Sequence, residues 1–230
     1  KKIYALAATL RPETMCGQTN VWILPEGEYG CFAASDNQVY ICAQRAARNM
    51  AFQGIFPTEE GKIGAKLDCL LTVKGQSLIG ARVKAPTTKY DAVYMLPLTT
   101  ISMTKGTAIV TSVPSDSPDD YAAFMDLKNP KKREFYGVDA SWVEPFELIP
   151  IITAEIDGED RTCCAEYMCT KLKVQSQKDV DKLHEAHDIV YTAGFYKGVM
   201  TAGPFTGLSV QEAKPKCKAA MCAAGQAFTL

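Results

Sequence analysis

Residues 106–121, GTAIVTSVPSDSPDDY, leave this chain few ways to fold. The run Ala108-Ile109-Val110, followed by Val113, is apolar and β-branched, the pattern of a buried strand. Pro114 stops it, having no N–H to give to a ladder. Ser117 then fits a helix N-cap, Pro118 the first helical position, and Asp119 and Asp120 the first turn. A strand that ends this way carries a helix N-terminus and two acids to the mouth of a sheet. The start of the chain repeats the device. Residues 2–9, KIYALAAT, read as an apolar strand. Arg11-Pro12 breaks it, because the residue before proline is pushed out of helical geometry. Pro12 opens a short helix, PETMCGQ, with Thr14 in its first turn. Two such junctions at neighbouring strand ends can build one pocket.

The stretch between them reads as strands at 21–24, 30–34, 38–43, 68–74, 78–84 and 92–96, with a hairpin turn at 35–37 and a helix at 44–53 ended by Gly54. Seven or eight short strands with few helices predict the α+β class, built on a strongly curved or closed β-barrel core with peripheral helices. After Leu127 the texture changes. NPKKRE at 129–134 reads as a charged surface turn, 142–156 is apolar with two prolines, and 158–160 is a turn. Residues 163–169 fit either a strand or a short helix. Residues 177–187 have helical spacing, with Val180, Leu183 and Ala186 on one side. Residues 194–207 return to loop and strand, and Ser209-x-x-Glu212 is a capping box before a helix at 213–224. Pro215 lies deep enough there to kink it. The expected organisation is a single domain over 1–230, with 128–206 an insertion or subdomain on the barrel.

The 230 residues are 47% hydrophobic, enough for a sizeable core. No apolar run approaches the roughly 18 residues of a membrane span. A net charge of −1 provides no basic footprint for gripping duplex nucleic acid unaided. The nine cysteines are odd in number and irregular in spacing, which favours reduced thiols of a cytosolic protein over a disulfide scaffold. A chain that begins in a strand and ends just after a helix reads as a piece of something longer.

GxSxG, HExxH, P-loop and Rossmann patterns are all absent. The two histidines, His184 and His187, fall at i, i+3 in one charged helical stretch, where an exposed face is a plainer reading than zinc. No metal site is expected. The chemistry therefore rests on carboxylates, hydroxyls, backbone groups and water. Asp120 leads the candidates, although Ser117-x-x-Asp120 is also a capping arrangement and acids favour a helix start by about 0.3–1 kcal/mol in any case. Thr14 by itself is equally a helix-start threonine. Lys105, just before the strand, could meet a phosphate or simply be a solvated charge.

TLRPET at 9–14 followed by GTAIVTSVPSDSPDD at 106–120 resembles the editing domain (connective peptide 1) of leucyl-tRNA synthetase. SWVEPFE at 141–147, KLKVQSQ at 171–177, GFYKGVM at 194–200 and VQEAKP at 210–215 resemble its eukaryotic cytosolic form, so the likeness spans nearly the whole chain. The resemblance implies a fold of the class I synthetase editing-domain type, a cytoplasmic location, and hydrolysis of the aminoacyl ester of mischarged tRNA-Leu. Editing of this kind is needed because one methylene is worth only about 1–3 kcal/mol in a hydrophobic pocket. A second sieve then admits norvaline or isoleucine and refuses leucine.

By resemblance, Thr14 is the discriminating threonine that crowds the γ-branch of leucine. Asp120 is the aspartate that holds the substrate α-ammonium. Thr9 and Arg11 belong to the segment beside the scissile carbonyl and terminal ribose. Val113 walls the side-chain pocket, and Lys105 and Thr107 lie where the terminal adenosine passes. Leu10 and Thr111 complete the substrate-binding set. The implied catalytic group is Asp120, Thr14, Thr9 and Arg11. Ala108 stands where the family usually has glycine, which bears on the adenosine contacts. The synthetic-site signatures HIGH and KMSKS are missing, so ATP and Mg2+ belong only to a synthetic domain outside this chain, and no cofactor is expected here. The implied partners are the 3′ end of mischarged tRNA-Leu, the parent synthetase body and small ligands such as benzoxaborole–adenosine adducts, with no membrane. Two other readings stay open: a non-catalytic docking module of the synthetase, and a free-standing trans-editing deacylase.

Overall fold

The computed structural model describes residues 1–35, 37–56 and 67–230. Chain order begins with strand β1 (Lys2–Ala5), a 3-10 turn (Pro12–Gly17), β2 (Asn20–Ile23), β3 (Glu28–Ser35), β4 (Gln38–Cys42), helix α1 (Gln44–Phe52) and β5 (Cys69–Lys74). It continues with a 3-10 turn (Gly75–Leu78), β6 (Arg82–Val83), β7 (Val93–Pro97), β8 (Ile109–Ser112), α2 (Pro118–Lys128), α3 (Pro130–Phe135) and a 3-10 turn (Ala140–Trp142). The last part holds β9 (Ile152–Ile156), β10 (Glu159–Arg161), α4 (Cys164–Lys171), α5 (Val180–Lys197), β11 (Val199–Met200) and α6 (Val210–Ala223).

The class is α+β, but the expected barrel does not form. Among the described residues the strands make three open sheets, ordered β1-β4-β3-β5, β6-β7-β2-β8 and β10-β9-β11. Closure fails for two reasons. β1 runs parallel to β4, and β7 parallel to β2, so the chain crosses over instead of meandering round a ring. The stretch 78–84, expected as a full strand, supplies only Arg82–Val83, too short to join the two four-stranded sheets. Each sheet is left with two edges.

Both four-stranded sheets share a first core. Tyr29 and Ile41 come from one sheet, Trp22, Leu96 and Ile109 from the other, with Phe124 and Leu127 of α2 added. Val138, Val143 and Phe146 close this core from beyond α2. A second core gathers Ile152, Ala154 and Ile156 of the small sheet with Met168, Ala186, Val190, Val210 and Met221 of α4, α5 and α6. Met15 and Cys16 of the first 3-10 turn and Val113 after β8 also belong to it. Both proline junctions therefore lie on the seam between the cores.

Several local readings change. NPKKRE forms α3, because Asn129 caps it through Oδ1 and Pro130 takes the first position. The turn read at 158–160 is the start of β10, whose hairpin bends at Asp157-Gly158. Residues 163–169 resolve as the start of α4, and α5 runs on to Lys197 through a glycine that was read as loop. The capping box of α6 forms with both bonds, and the helix continues past Pro215. The hairpin read at 35–37 includes Asp36, which lies outside the described residues.

Candidate functional site

The second junction forms as its sequence dictates. Ser117 Oγ accepts from the Asp120 amide at 3.3 Å, with Pro118 at the first position of α2. Asp120, only 9% exposed, turns its carboxylate inward. Oδ1 accepts from the Trp22 indole at 2.9 Å and Oδ2 from the Val113 amide at 2.8 Å. Burial pushes its carboxyl up to about 6, against the bonds from Val113, Trp22 and Ser117 that favour the charged form.

The first junction forms a tighter turn than an α-helix. Thr14, 4% exposed, sits in it with both its amide and its hydroxyl donated to the Arg11 carbonyl, at 3.1 and 2.9 Å. The Thr9 hydroxyl accepts from the Arg11 amide at 2.9 Å and closes the bend. Gly17 ends the turn where a Cβ would lie 2.8 Å from Ile151 Cγ2 and 3.0 Å from Val113 Cγ1, so any larger residue would have to push these side chains aside.

Arg11 joins them. Its Nε donates to Glu13 Oε1 at 3.1 Å, its Nη1 pairs with Asp116 Oδ2, and its guanidinium lies 4.6 Å above the ring of Tyr191. Two buried carboxylates share this one guanidinium. Burial therefore pushes both Glu13 and Asp116 above the usual carboxylate range in spite of Arg11. Burial disfavours the charge on Arg11 as well, but Asp116 and Glu13 outweigh it and raise its pKa. Burial, then the nearby Asp120, pushes the Tyr191 hydroxyl up to about 12. Arg11 is thus a structural tie between the junctions, with no side-chain edge left open to solvent beyond a small fraction.

The remaining sequence-derived residues scatter around this centre. Leu10 is 87% exposed, and Thr9 and Lys105 are also exposed. Thr107 is buried and donates its hydroxyl to the Ile109 carbonyl. Thr111 is half-buried on β8 opposite Val21, and Val113 is buried against the first turn. Ala108 adopts φ +59°, the left-handed region that favours glycine, with its methyl buried and its carbonyl accepting from the Tyr29 hydroxyl. The extra methyl therefore strains the backbone, and Ala108 itself lines the cavity beside Lys105.

A cavity of about 260 Å3 opens beside Lys105, lined by Leu98, Ile101, Ser102 and Val110. Another of about 200 Å3 lies between the first 3-10 turn and α6, walled by Glu13, Cys16, Phe205, Cys217 and Met221. Glu13 and Cys16 share one face of that turn and Thr14 another, because side chains three apart eclipse in a 3-10 helix. Neither cavity is lined by Thr14 or Asp120. Among the described residues no three His, Cys, Asp or Glu side chains converge as a metal site, and no helix is long and apolar enough to cross a membrane. The cysteines are unpaired.

Trp22, Glu13, Asp116 and Tyr191 were not singled out from the sequence. Glu13 and Asp116 sit inside the two organising motifs, and an arginine two residues before a glutamate was a readable signal. Trp22 and Tyr191 reach the site only through tertiary structure.

No protein-family model matches the chain. It is 44% identical over 229 residues to the cytoplasmic leucine–tRNA ligase of Arabidopsis thaliana and 42% identical over 228 residues to that of Saccharomyces cerevisiae, in each case across 99% of this chain. It spans about a fifth (20%) of the length of these curated relatives. The crystal structure of GlLeuRS-CP1 matches it with a TM-score of 0.90 at 44% identity, over 98% of this chain and 79% of that one. The editing domain of the P. falciparum cytosolic leucyl-tRNA synthetase matches with a TM-score of 0.87 at 28% identity, over 99% and 79%.

Proposed function

The chain belongs to the leucyl-tRNA synthetase family, in its cytosolic branch and over the region of the editing domain, and from that premise we propose that it hydrolyses the ester of mischarged tRNA-Leu. The observation that carries this reading is the clamp of Arg11 on Asp116, which holds the Thr14 turn and the Asp120 helix start in one fixed relation. The substrate is the 3′ end of tRNA-Leu carrying isoleucine or norvaline. The parent synthetase supplies the rest of the tRNA grip, since this chain has a net charge of −1.

Asp120 holds the α-ammonium in a charge-assisted contact. That contact sets the ester against an attacking water. The water oxygen bonds to the carbonyl carbon, the bond to the ribose oxygen breaks, and free amino acid and a ribose hydroxyl leave. An aminoacyl ester is already activated, so orientation and hydrogen-bond donors supply much of the barrier reduction. Thr14 filters side chains by bulk, and its hydroxyl is fixed by the Arg11 carbonyl. Arg11 acts by holding the junctions. This step uses no cofactor from the chain, and ATP and Mg2+ serve only the synthetic site elsewhere. The exposed Lys105 and Leu10 flank the path of the terminal adenosine, where benzoxaborole–adenosine adducts would also lodge.

Deacylation of isoleucyl- and leucyl-tRNA-Leu by the full-length protein tests the reading. Wild type clears only the isoleucyl ester, Asp120→Ala clears neither, and Thr14→Ala clears both. Leucyl ester left intact by Thr14→Ala removes Thr14 as the filter. The near-complete burial of Thr14 and Asp120 favours one second reading, a docking module without turnover. A wild type that hydrolyses neither ester selects it.

A further inference from the structure

The ring beneath Arg11 comes from neither junction. Tyr191 lies on α5, within the segment whose sequence texture set it apart from the strands. Its neighbour Val190 is buried in the second core beside Ala186, and α5 packs against α2, α4, α6 and β9, so the helix has a fixed rotation. From there the Tyr191 ring supports the Arg11 guanidinium at 4.6 Å, the His187 ring lies 3.8 Å away, and the hydroxyl stands beside Ser117, the cap of α2.

The two carboxylates on Arg11 are not enough to fix it. Glu13 and Asp116 accept from Nε and Nη1, at the edge of the guanidinium, and neither covers its face. An aromatic face supplies the missing constraint, since a cation is attracted over the ring and not at its rim. The position of Arg11 matters because its carbonyl holds both polar groups of Thr14 that the turn uses. A guanidinium that loses the ring loosens its hold on Asp116, and with it the tie between the Thr14 turn and a helix start that stays anchored by Trp22 and Val113.

We propose that Tyr191 is a positioning residue for the editing reaction, fixing Arg11 by its ring face and, through the Arg11 carbonyl, the Thr14 filter. It acts through Arg11 and not on the ester. The proposal rests on the editing reading of this site, and its test has one arm that does not.

Kinetics on the full-length protein with isoleucyl-tRNA-Leu compare wild type, Tyr191→Leu and Tyr191→Phe, with Tyr196→Leu as control. Tyr196 is on the same helix and 69% exposed. Tyr191→Leu lowers kcat about tenfold to a hundredfold with KM changed by less than about threefold, the pattern of a misplaced reacting group. Tyr191→Phe keeps the ring and stays within about threefold of wild type. Tyr196→Leu is unchanged. A Tyr191→Leu variant that keeps full kcat overturns the proposal, and so does a Tyr191→Phe variant as slow as the leucine one. The second arm reads the Arg11 side-chain Nε–H signal by NMR. The ring current moves it upfield in wild type, and Tyr191→Leu releases it while Tyr196→Leu does not. A wild type that hydrolyses nothing defeats the functional reading, and the NMR arm then decides the Tyr191–Arg11 support by itself. An Arg11 signal indifferent to Tyr191→Leu defeats that support.

Discussion

Asp120 serves three neighbours with one side chain and one amide. It accepts from Trp22 and Val113, and its own amide completes the Ser117 cap. Burial pushes its pKa up to about 6, from an ordinary 3.8. In the proposed role as ammonium anchor it must be ionised, so deacylation by the full-length protein should fall about tenfold per pH unit below about pH 6. Stability moves the other way for this group. The native state binds the proton more tightly than the unfolded one, so its contribution is fully present below about 3.8 and is lost as pH rises through about 6. Trp22→Phe removes a donor to the charged form and raises the pKa further. The acid limb of the pH–rate profile should therefore shift to higher pH in that variant, and an unmoved limb would detach Asp120 from the rate. Thr14 and Asp120 were readable because each belongs to a proline-marked helix start, a pattern that lives within a few residues. Trp22 and Asp116 were not, since their partners lie 98 and 105 positions away along the chain.

Elements in this chain start on local chemistry, and two starts show how far that chemistry can be read. Ser209 and Glu212 form a capping box seen in the sequence and realised in full, with Ser209 Oγ accepting from the Glu212 amide at 3.3 Å and the Glu212 carboxylate accepting from the Ser209 amide at 3.2 Å. Ser209→Ala should cost about 1 kcal/mol and lower Tm by about 2–4 °C, read by thermal unfolding. A change below 1 °C, on the order of experimental scatter, would mean that packing of α6 on the first turn carries the end alone. Asn129-Pro130 at the start of α3 uses the same device, yet NPKKRE read as a turn because its charges hide the cap. The stretch 78–84 failed in the opposite sense. Its residues favour a strand, but a 3-10 turn at Gly75–Leu78 and the close approach of Gly80 to the Trp142 ring consume most of it.

At the scale of the molecule, the α+β class was legible and closure was not. Whether strands form a ring depends on which edges meet, and pairings such as β1 with β4 and β2 with β7 are long-range choices that no local pattern records. The outcome is two large cores, with smaller clusters under α1 and between α2, α4 and α5. Trp22 belongs to the first and Trp142 packs against it, while α4, α5 and α6 surround the second. Tryptophan fluorescence thus reports on the first core, and far-UV circular dichroism on the helices and strands of both. Val113 and the Tyr90 ring, which packs on both, tie them together, so urea unfolding curves from the two probes should coincide. Separate midpoints would show that the cores unfold independently. The seam between them has a further consequence. Thr14 is 4% and Asp120 9% exposed, so on the editing reading proposed above an ester meets them only if the seam parts. Turnover there would then have a ceiling that chemistry does not set: the frequency at which the two cores breathe apart.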